Sequence, residues 1–279
     1  MLSLSPLTVL PCSPLELIDA AEAAEFDAVG LRLVPVLPTD VDVMADAVLR
    51  RAIERRLSAT TLRVLDIEVI RIGPDTDIAA LVPLLQYAGE LGARNLAVTS
   101  LAGAEYEPVD EPRMVRKLAE LGEAAARRGI QPMIEFMVFR GIATLDDAIR
   151  VIARAGHQNL GICVDALHLQ RSGGTPESIS RIPPQLISCV QLCDAPASAP
   201  APQDIPREAR YDRLYPGEGA LPLRELLAVV PPDIPLSVEV PCAAQSGLSV
   251  TERADKAARC TRELIASVHG RRPGSRQGM

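Results

Sequence analysis

Short apolar runs alternate with amphipathic stretches along almost the whole chain. The runs are LSLSPLTVL (2–10), AVGLRLV (28–34), LRVLDIEVIRI (62–72), NLAVTSL (95–101), QPMIEFM (131–137), LGICVDALHL (160–169), SCVQLCDA (188–195) and PLSVEVP (235–241). Each is short and nearly continuous, the pattern of a strand covered on both faces. The stretches between them carry helix signals. SPLELIDAAEAAEF opens with Ser13 as N-cap and Pro14 at the first helical position. The 110–129 stretch begins with an Asp cap at Asp110 and an acidic first turn, and ends in Arg127, Arg128 and Gly129, which suits the helix dipole and a left-handed cap. TLDDAIRVIARAG (144–156) repeats the theme.

Strands of this kind alternating with helices predict a parallel sheet wrapped by helices. Eight such pairs in 279 residues fit a single α/β domain, a closed (β/α)8 TIM barrel over residues 1–268. A doubly wound open sheet is the alternative, but it wants a glycine-rich phosphate turn, and no G-x-G-x-x-G or G-x-x-x-x-G-K occurs. Two regions break the rhythm. Residues 196–220 are too long for an ordinary barrel loop, Pro- and Ala-rich at first and then dense in Arg and Tyr. Residues 269–279 are small, basic and Gly-rich, and are expected to be a disordered tail.

Composition narrows the function. A net charge of −7 and a pI near 5.2 give no basic footprint for nucleic acid. No leader pattern and no apolar run of spanning length is present, so the expectation is a cytoplasmic protein with no membrane partner. Six cysteines are scattered over the chain, several in apolar runs, as buried thiols would be.

In a TIM barrel the active site lies at the C-terminal ends of the strands. Polar residues in the later half of an apolar run are therefore the informative ones. Glu135, Asp165, Gln191 and Glu239 occupy such positions on four consecutive strands, the fifth to the eighth. Any one alone is more often a salt-bridged core residue than a ligand. Three buried carboxylates on adjacent strands are costly unless a cation holds them. Three carboxylates and an amide carbonyl make an all-oxygen set suited to Mg²⁺ or Mn²⁺, with Co²⁺ and Zn²⁺ also compatible. Cys189 and Cys193 are too far apart along one strand to share an ion, and read as packing. His168, just after Asp165, is a candidate acid–base group. Arg210, Arg213 and Tyr215 in the long loop are candidate substrate contacts, and so are Arg32, Glu68 and Arg71 near the ends of strands two and three. Clustered arginines favour an anionic substrate.

At these residues the sequence resembles the sugar phosphate isomerase/epimerase family of the xylose-isomerase-like barrels. The D-x-x-H element is matched by Asp165 and His168. RYDRLYPGEGALPL looks like the family's R-x-x-P-G-x-G turn, with Arg213 as a substrate contact. The resemblance implies one divalent metal on Glu135, Asp165, Gln191 and Glu239, with Gln191 where most members have His. Gln there, followed by D-A-P, is similar to a branch containing bacterial 3-dehydroshikimate dehydratases. The resemblance also excludes the endonuclease relatives, whose histidine-rich multi-zinc site three histidines cannot build.

The expected activity is a divalent-metal-dependent isomerase or epimerase acting on a small polyhydroxy carbonyl compound by proton abstraction and an enediolate. Glu135 and Glu239 are then the bases on opposite faces of the substrate, as the resemblance implies. A metal-dependent lyase of the dehydroshikimate type, with His168 as base or proton shuttle, is the second reading. A non-catalytic metabolite-binding barrel is the third. Family resemblance also implies a homo-oligomer.

Overall fold

The eight apolar runs form parallel strands hydrogen-bonded in chain order, and the last pairs back onto the first, closing the barrel. The computed structural model describes residues 1–101 and 110–269. The elements are β1 (Leu2–Leu4), α1 (Pro14–Ala23), β2 (Ala28–Arg32), α2 (Ala47–Ser58), β3 (Arg63–Ile72), α3 (Val82–Glu90), β4 (Asn95–Ser100) and α4 (Glu111–Ala126). Then follow β5 (Gln131–Glu135), α5 (Leu145–Ala155), β6 (Gly161–Asp165), α6 (Ala166–Arg171), α7 (Pro176–Ile179) and β7 (Ile187–Leu192). The last are α8 (Ile205–Tyr211), α9 (Leu223–Val229), β8 (Leu236–Val238) and α10 (Val250–His269). The tail expected at 269–279 lies outside the described residues, apart from His269, which closes α10.

Strand side chains alternate between two faces, and that alternation makes two cores. Val64, Leu96, Val98, Ile134, Ile162 and Val190 face outward and pack with the helices in one large cluster. Ala28, Leu65, Ala97, Met133, Cys163 and Cys189 face inward and fill the barrel. On four of these strands the next inward position is polar: Thr99 after Ala97, Glu135 after Met133, Asp165 after Cys163, Gln191 after Cys189. A packed lower barrel thus carries a polar upper layer at the strands' C-terminal ends, where this fold places its chemistry. All six cysteines are free thiols, as expected of packing residues.

Local chemistry explains where the elements differ from the sequence expectation. Run 2–10 is strand only to Leu4, because Pro6 starts a 3-10 turn. Run 160–169 stops at Asp165, whose carboxylate accepts the His168 amide at 2.8 Å and caps α6. Asp110 does not cap α4 as expected; its carboxylate lies 3.7 Å from Arg113. Ser13 and Thr144 both form full capping boxes, with Glu16 and Asp147. No described helix is long and apolar enough to cross a membrane.

Candidate active site

The upper layer converges on one guanidinium. Arg213 enters from the segment after α8, anchored by its Nε donating to the Ala209 carbonyl at 2.8 Å. Its Nη1 donates to Asp165 Oδ2 at 2.5 Å, and its Nη2 lies 3.2 Å from Glu239 Oε2. Nη2 also meets His168 Nε2 at 3.4 Å, and that ring nitrogen is 3.7 Å from Glu135 Oε1. Glu239 in turn accepts from Ser5 Oγ at 3.1 Å and from Gln191 Nε2 at 3.3 Å. Glu135, Asp165, His168, Arg213, Gln191 and Glu239 are all buried.

The structure therefore brings the four expected ligands into one group. Glu135, Asp165 and His168 present ligand atoms within 4.8 Å of one another. Gln191 is oriented differently from the expectation, which had its amide oxygen facing an ion. Its Oε1 accepts the Cys163 thiol at 3.2 Å, and its nitrogen faces Glu239. A half-turn of the amide exchanges the two atoms. Arg32 and Glu68 line the cavity as expected, but Arg32 is already engaged. Its Nη1 donates to Asp40 at 3.0 Å, and Nε is 4.0 Å from Glu68. Tyr215 is the correction: its buried ring packs under Lys256 and does not line the cavity. Tyr215 is carried into the core by the turn that follows Arg213.

Three features were not read from the sequence. Asp66 is fully buried, and neither carboxylate oxygen has a hydrogen-bond partner. Its approach is possible because residue 30 is glycine; a Cβ there would sit 2.7 Å from Asp66 Oδ1. Phe139 and Arg140, from the segment after β5, line the mouth together with Arg71 and Arg210. The Phe139 ring packs edge-on to His168 at 5.7 Å, and the Arg210 guanidinium lies 5.4 Å from its centroid. The signal for Phe139 and Arg140 was their place directly after the MIEFM strand.

Electrostatics define what the site lacks. Among the described residues five buried carboxylates (Asp66, Glu68, Glu135, Asp165, Glu239) face two inner guanidiniums, Arg32 and Arg213. Burial, reinforced by the charges of Glu239 and Asp165, pushes Glu135 well above the usual carboxylate range. Burial with the neighbouring Asp66 and Glu239 charges does the same to Glu68, and burial raises Glu239 against the pull of Arg213. Asp66 is pushed up to about 7 by burial and by Glu239. Asp165 alone moves down, because Arg213 and His168 outweigh the effect of burial. Burial, aided by Arg213, Arg210 and Arg140 and opposed by Asp165, lowers His168 to about 4, so its ring is neutral at pH 7. The excess of negative charge and Glu135 Oε1, which has no hydrogen-bond partner, fit a divalent cation, which would let these acids ionise together.

Residues 18–264 match the model of the xylose isomerase-like TIM barrel family. The chain belongs to that family. It is 33% identical over 156 residues to the 3-dehydroshikimate dehydratase of Pseudomonas aeruginosa, covering 54% of this chain and 24% of that protein. The matched stretch thus spans about a quarter of that relative's length. The IolI protein, solved with a bound zinc atom, superposes with a TM-score of 0.81 at 20% identity over 96% of this chain and 98% of IolI. A xylose isomerase-like TIM barrel/4-hydroxyphenylpyruvate dioxygenase fusion protein gives 0.82 at 22% identity, over 100% of this chain and 45% of the fusion. At those identities the two structures speak for the barrel fold alone.

Proposed function

We propose that this xylose isomerase-like barrel is a divalent-metal-dependent lyase that dehydrates a small ring carboxylate of the 3-dehydroshikimate type. The observation that carries the reading is the neutral, buried His168 set between a carboxylate floor and an arginine-lined mouth. The 33% identity to a 3-dehydroshikimate dehydratase supports it. Arg71, Arg140 and Arg210 at the mouth suit a substrate carboxylate.

Glu135, Asp165, Gln191 and Glu239 are the residues that would hold the metal, with Gln191 presenting its oxygen. When bound, the ion supplies polarisation of a substrate carbonyl oxygen. The protein's own groups handle the proton. Arg213 Nη2 can only donate, so His168 Nε2, 3.4 Å from it and 3.7 Å from Glu135, is the nitrogen that carries the lone pair of the neutral ring. Nε2 takes the proton from the carbon beside the carbonyl; that C–H electron pair becomes the enolate double bond, and the carbonyl π pair moves onto oxygen. The β-hydroxyl then leaves with the same proton as water. Glu135, 3.7 Å from the ring, stabilises the transient imidazolium. Dehydration of the named ring acid in this way leaves a cyclohexadienone, which gives a dihydroxybenzoate once its ring CH₂ loses a proton and the carbonyl oxygen gains one.

The test is incubation of the Mn²⁺-loaded protein with 3-dehydroshikimate, following the near-UV absorbance of the aromatic product. His168→Asn should slow it by about 10²–10⁴-fold, the usual size of general acid–base catalysis. Isomerisation or epimerisation of a polyhydroxy carbonyl compound is the second reading, favoured by Glu135 and Glu239 both carrying raised carboxyl groups within one site. Deuterium from D₂O in recovered sugar, without aromatic product, would select it. Absence of turnover, together with no divalent-ion binding and no effect of Glu239→Gln, would leave a metabolite-binding barrel.

A further inference from the structure

The long segment after β7 carries Arg210 and Arg213, and its backbone is bridged to Asp194 through Leu214 and to Cys242 through Asp212. Its helix α8 is tied further by one buried ion pair outside the cavity. Arg171, the last residue of α6, donates from Nε to Glu208 Oε2 at 2.8 Å and from Nη2 to Glu208 Oε1 at 2.7 Å. The same Nη2 donates to the Pro196 carbonyl at 2.9 Å, so one guanidinium grips the segment both at its start and within α8. Both side chains are buried, and neither lines the cavity.

The two ends of this fork are one step from the chemistry. On α6, Arg171 stands three residues after His168, on the same helix face, in a helix capped by Asp165. On α8, Glu208 immediately precedes Ala209, whose carbonyl fixes the Arg213 Nε, and stands two residues before Arg210 at the cavity mouth. The pair therefore ties the helix bearing His168 to the helix bearing the arginines. Stability gives little reason for such a pair, since apolar residues of similar volume generally serve a buried site as well or better. A bidentate fork does what apolar packing cannot: it fixes the angle and separation of the two planes it joins.

We infer that Arg171 and Glu208 are positioning residues, which set Arg210 and Arg213 against His168 and Asp165 for the reaction. The turnover part of this inference rests on the dehydratase reading; its geometric part does not. The double variant Arg171→Met/Glu208→Met removes both charges while keeping volume, and Arg171→Lys keeps the charge but loses the fork. Two readouts are taken on each: kcat and KM with 3-dehydroshikimate, and the ¹H–¹⁵N cross-peak of the Arg213 Nε–H, assigned by its loss in Arg213→Met.

The expected result is a double variant that folds, with the Arg213 cross-peak displaced or lost. Its kcat/KM should fall by about a hundredfold, the scale of a misplacement of about 1 Å. Arg171→Lys should lie between it and the wild type, and it replaces the double variant if the latter does not fold. An unmoved cross-peak overturns the inference, and so does a moved cross-peak with kcat/KM within threefold of wild type. A wild type that leaves 3-dehydroshikimate unchanged removes the dehydratase reading instead, and the cross-peak then decides the clamp alone.

Discussion

Replacing Arg213 with Met is the sharpest probe of the charge balance in the barrel. Methionine keeps most of the length and none of the charge. Asp165 Oδ2, 2.5 Å from Nη1, and Glu239 Oε2, 3.2 Å from Nη2, lose their common partner. Removing one side of a buried pair typically costs about 3–5 kcal/mol. In a domain near this size each kcal/mol moves Tm by roughly 2–4 °C. In EDTA the variant should therefore melt roughly 6–20 °C below the wild type. A divalent ion acts on the same carboxylates, so it should rescue the variant more than it stabilises the wild type. Ligand linkage at a thousandfold excess over Kd supplies about 4 kcal/mol, enough to offset most of the loss. Thermal melts by circular dichroism, with EDTA and across a Mn²⁺ titration, read both quantities. Equal melting of the two proteins in EDTA would mean that the carboxylates already sit neutral. Equal Mn²⁺ increments would mean that ion and guanidinium do not share ligands. Either result sinks the charge argument.

Other perturbations test separate parts of the site. Asp66 is held near 7 in the fold against about 3.9 when unfolded; the stability it contributes is complete below the lower value and lost as pH rises through the upper one. In EDTA, Tm should thus fall between about pH 4 and 7 and level off above that, Asp66→Asn should flatten the fall and Mn²⁺ should reduce it; a flat wild-type profile would contradict this. Gln191→His puts an imidazole among the expected ligands on β7, so the ratio of Zn²⁺ to Mn²⁺ affinity measured by calorimetry should rise. Asp194→Ala strands the amides of Ala195, Gly217 and Leu221, each within 2.9 Å of its carboxylate. At about 1–3 kcal/mol per unmade bond, limited proteolysis should then cut within 196–220 well before the barrel strands.

The barrel was legible because its strands are buried on both faces and its helices are capped by Ser13 and Thr144 as their sequence suggests. Three of the four expected ligands were legible for a related reason: Glu135, Asp165 and Gln191 each follow an inward apolar residue two positions earlier, as Glu135 follows Met133, whereas Glu239 follows Ser237. The helical setting of His168 was hidden because ALHL continues the apolar run, while the capping that ends the strand belongs to Asp165 itself. Asp66 was hidden by register. β2 and β3 slip between Val29 and Gly30, so alternation along β3 no longer tells which acid faces inward. Arg171 and Glu208 lie 37 residues apart, one of them in a segment without periodicity, and nothing local joins them. Tyr215 was misplaced because proximity to Arg213 along a turn does not carry direction.

D-A-P and P-G-E-G, two motifs separated in the sequence, turn out to be one structure. Asp194 Oδ1 accepts the amides of Ala195 and Leu221, and Oδ2 accepts that of Gly217, while the Asp194 and Leu214 backbones bridge. Gly217 adopts a φ of 91°, and a Cβ on Gly219 would lie 2.4 Å from Asp194 Oδ1 and 2.5 Å from the Ala195 carbonyl. Glycine is therefore required at both places for different reasons, one conformational and one steric. Between these anchors the chain delivers Arg210 and Arg213, and Arg213 reaches the acids on β6 and beside β8. The motif residues themselves touch none of the reacting groups. Matching D-A-P and P-G-x-G thus reports how the arginine-bearing segment is held, and substrate choice has to be read from what that segment presents: the guanidiniums of Arg210 and Arg213, with Phe139 and Arg140 across the mouth.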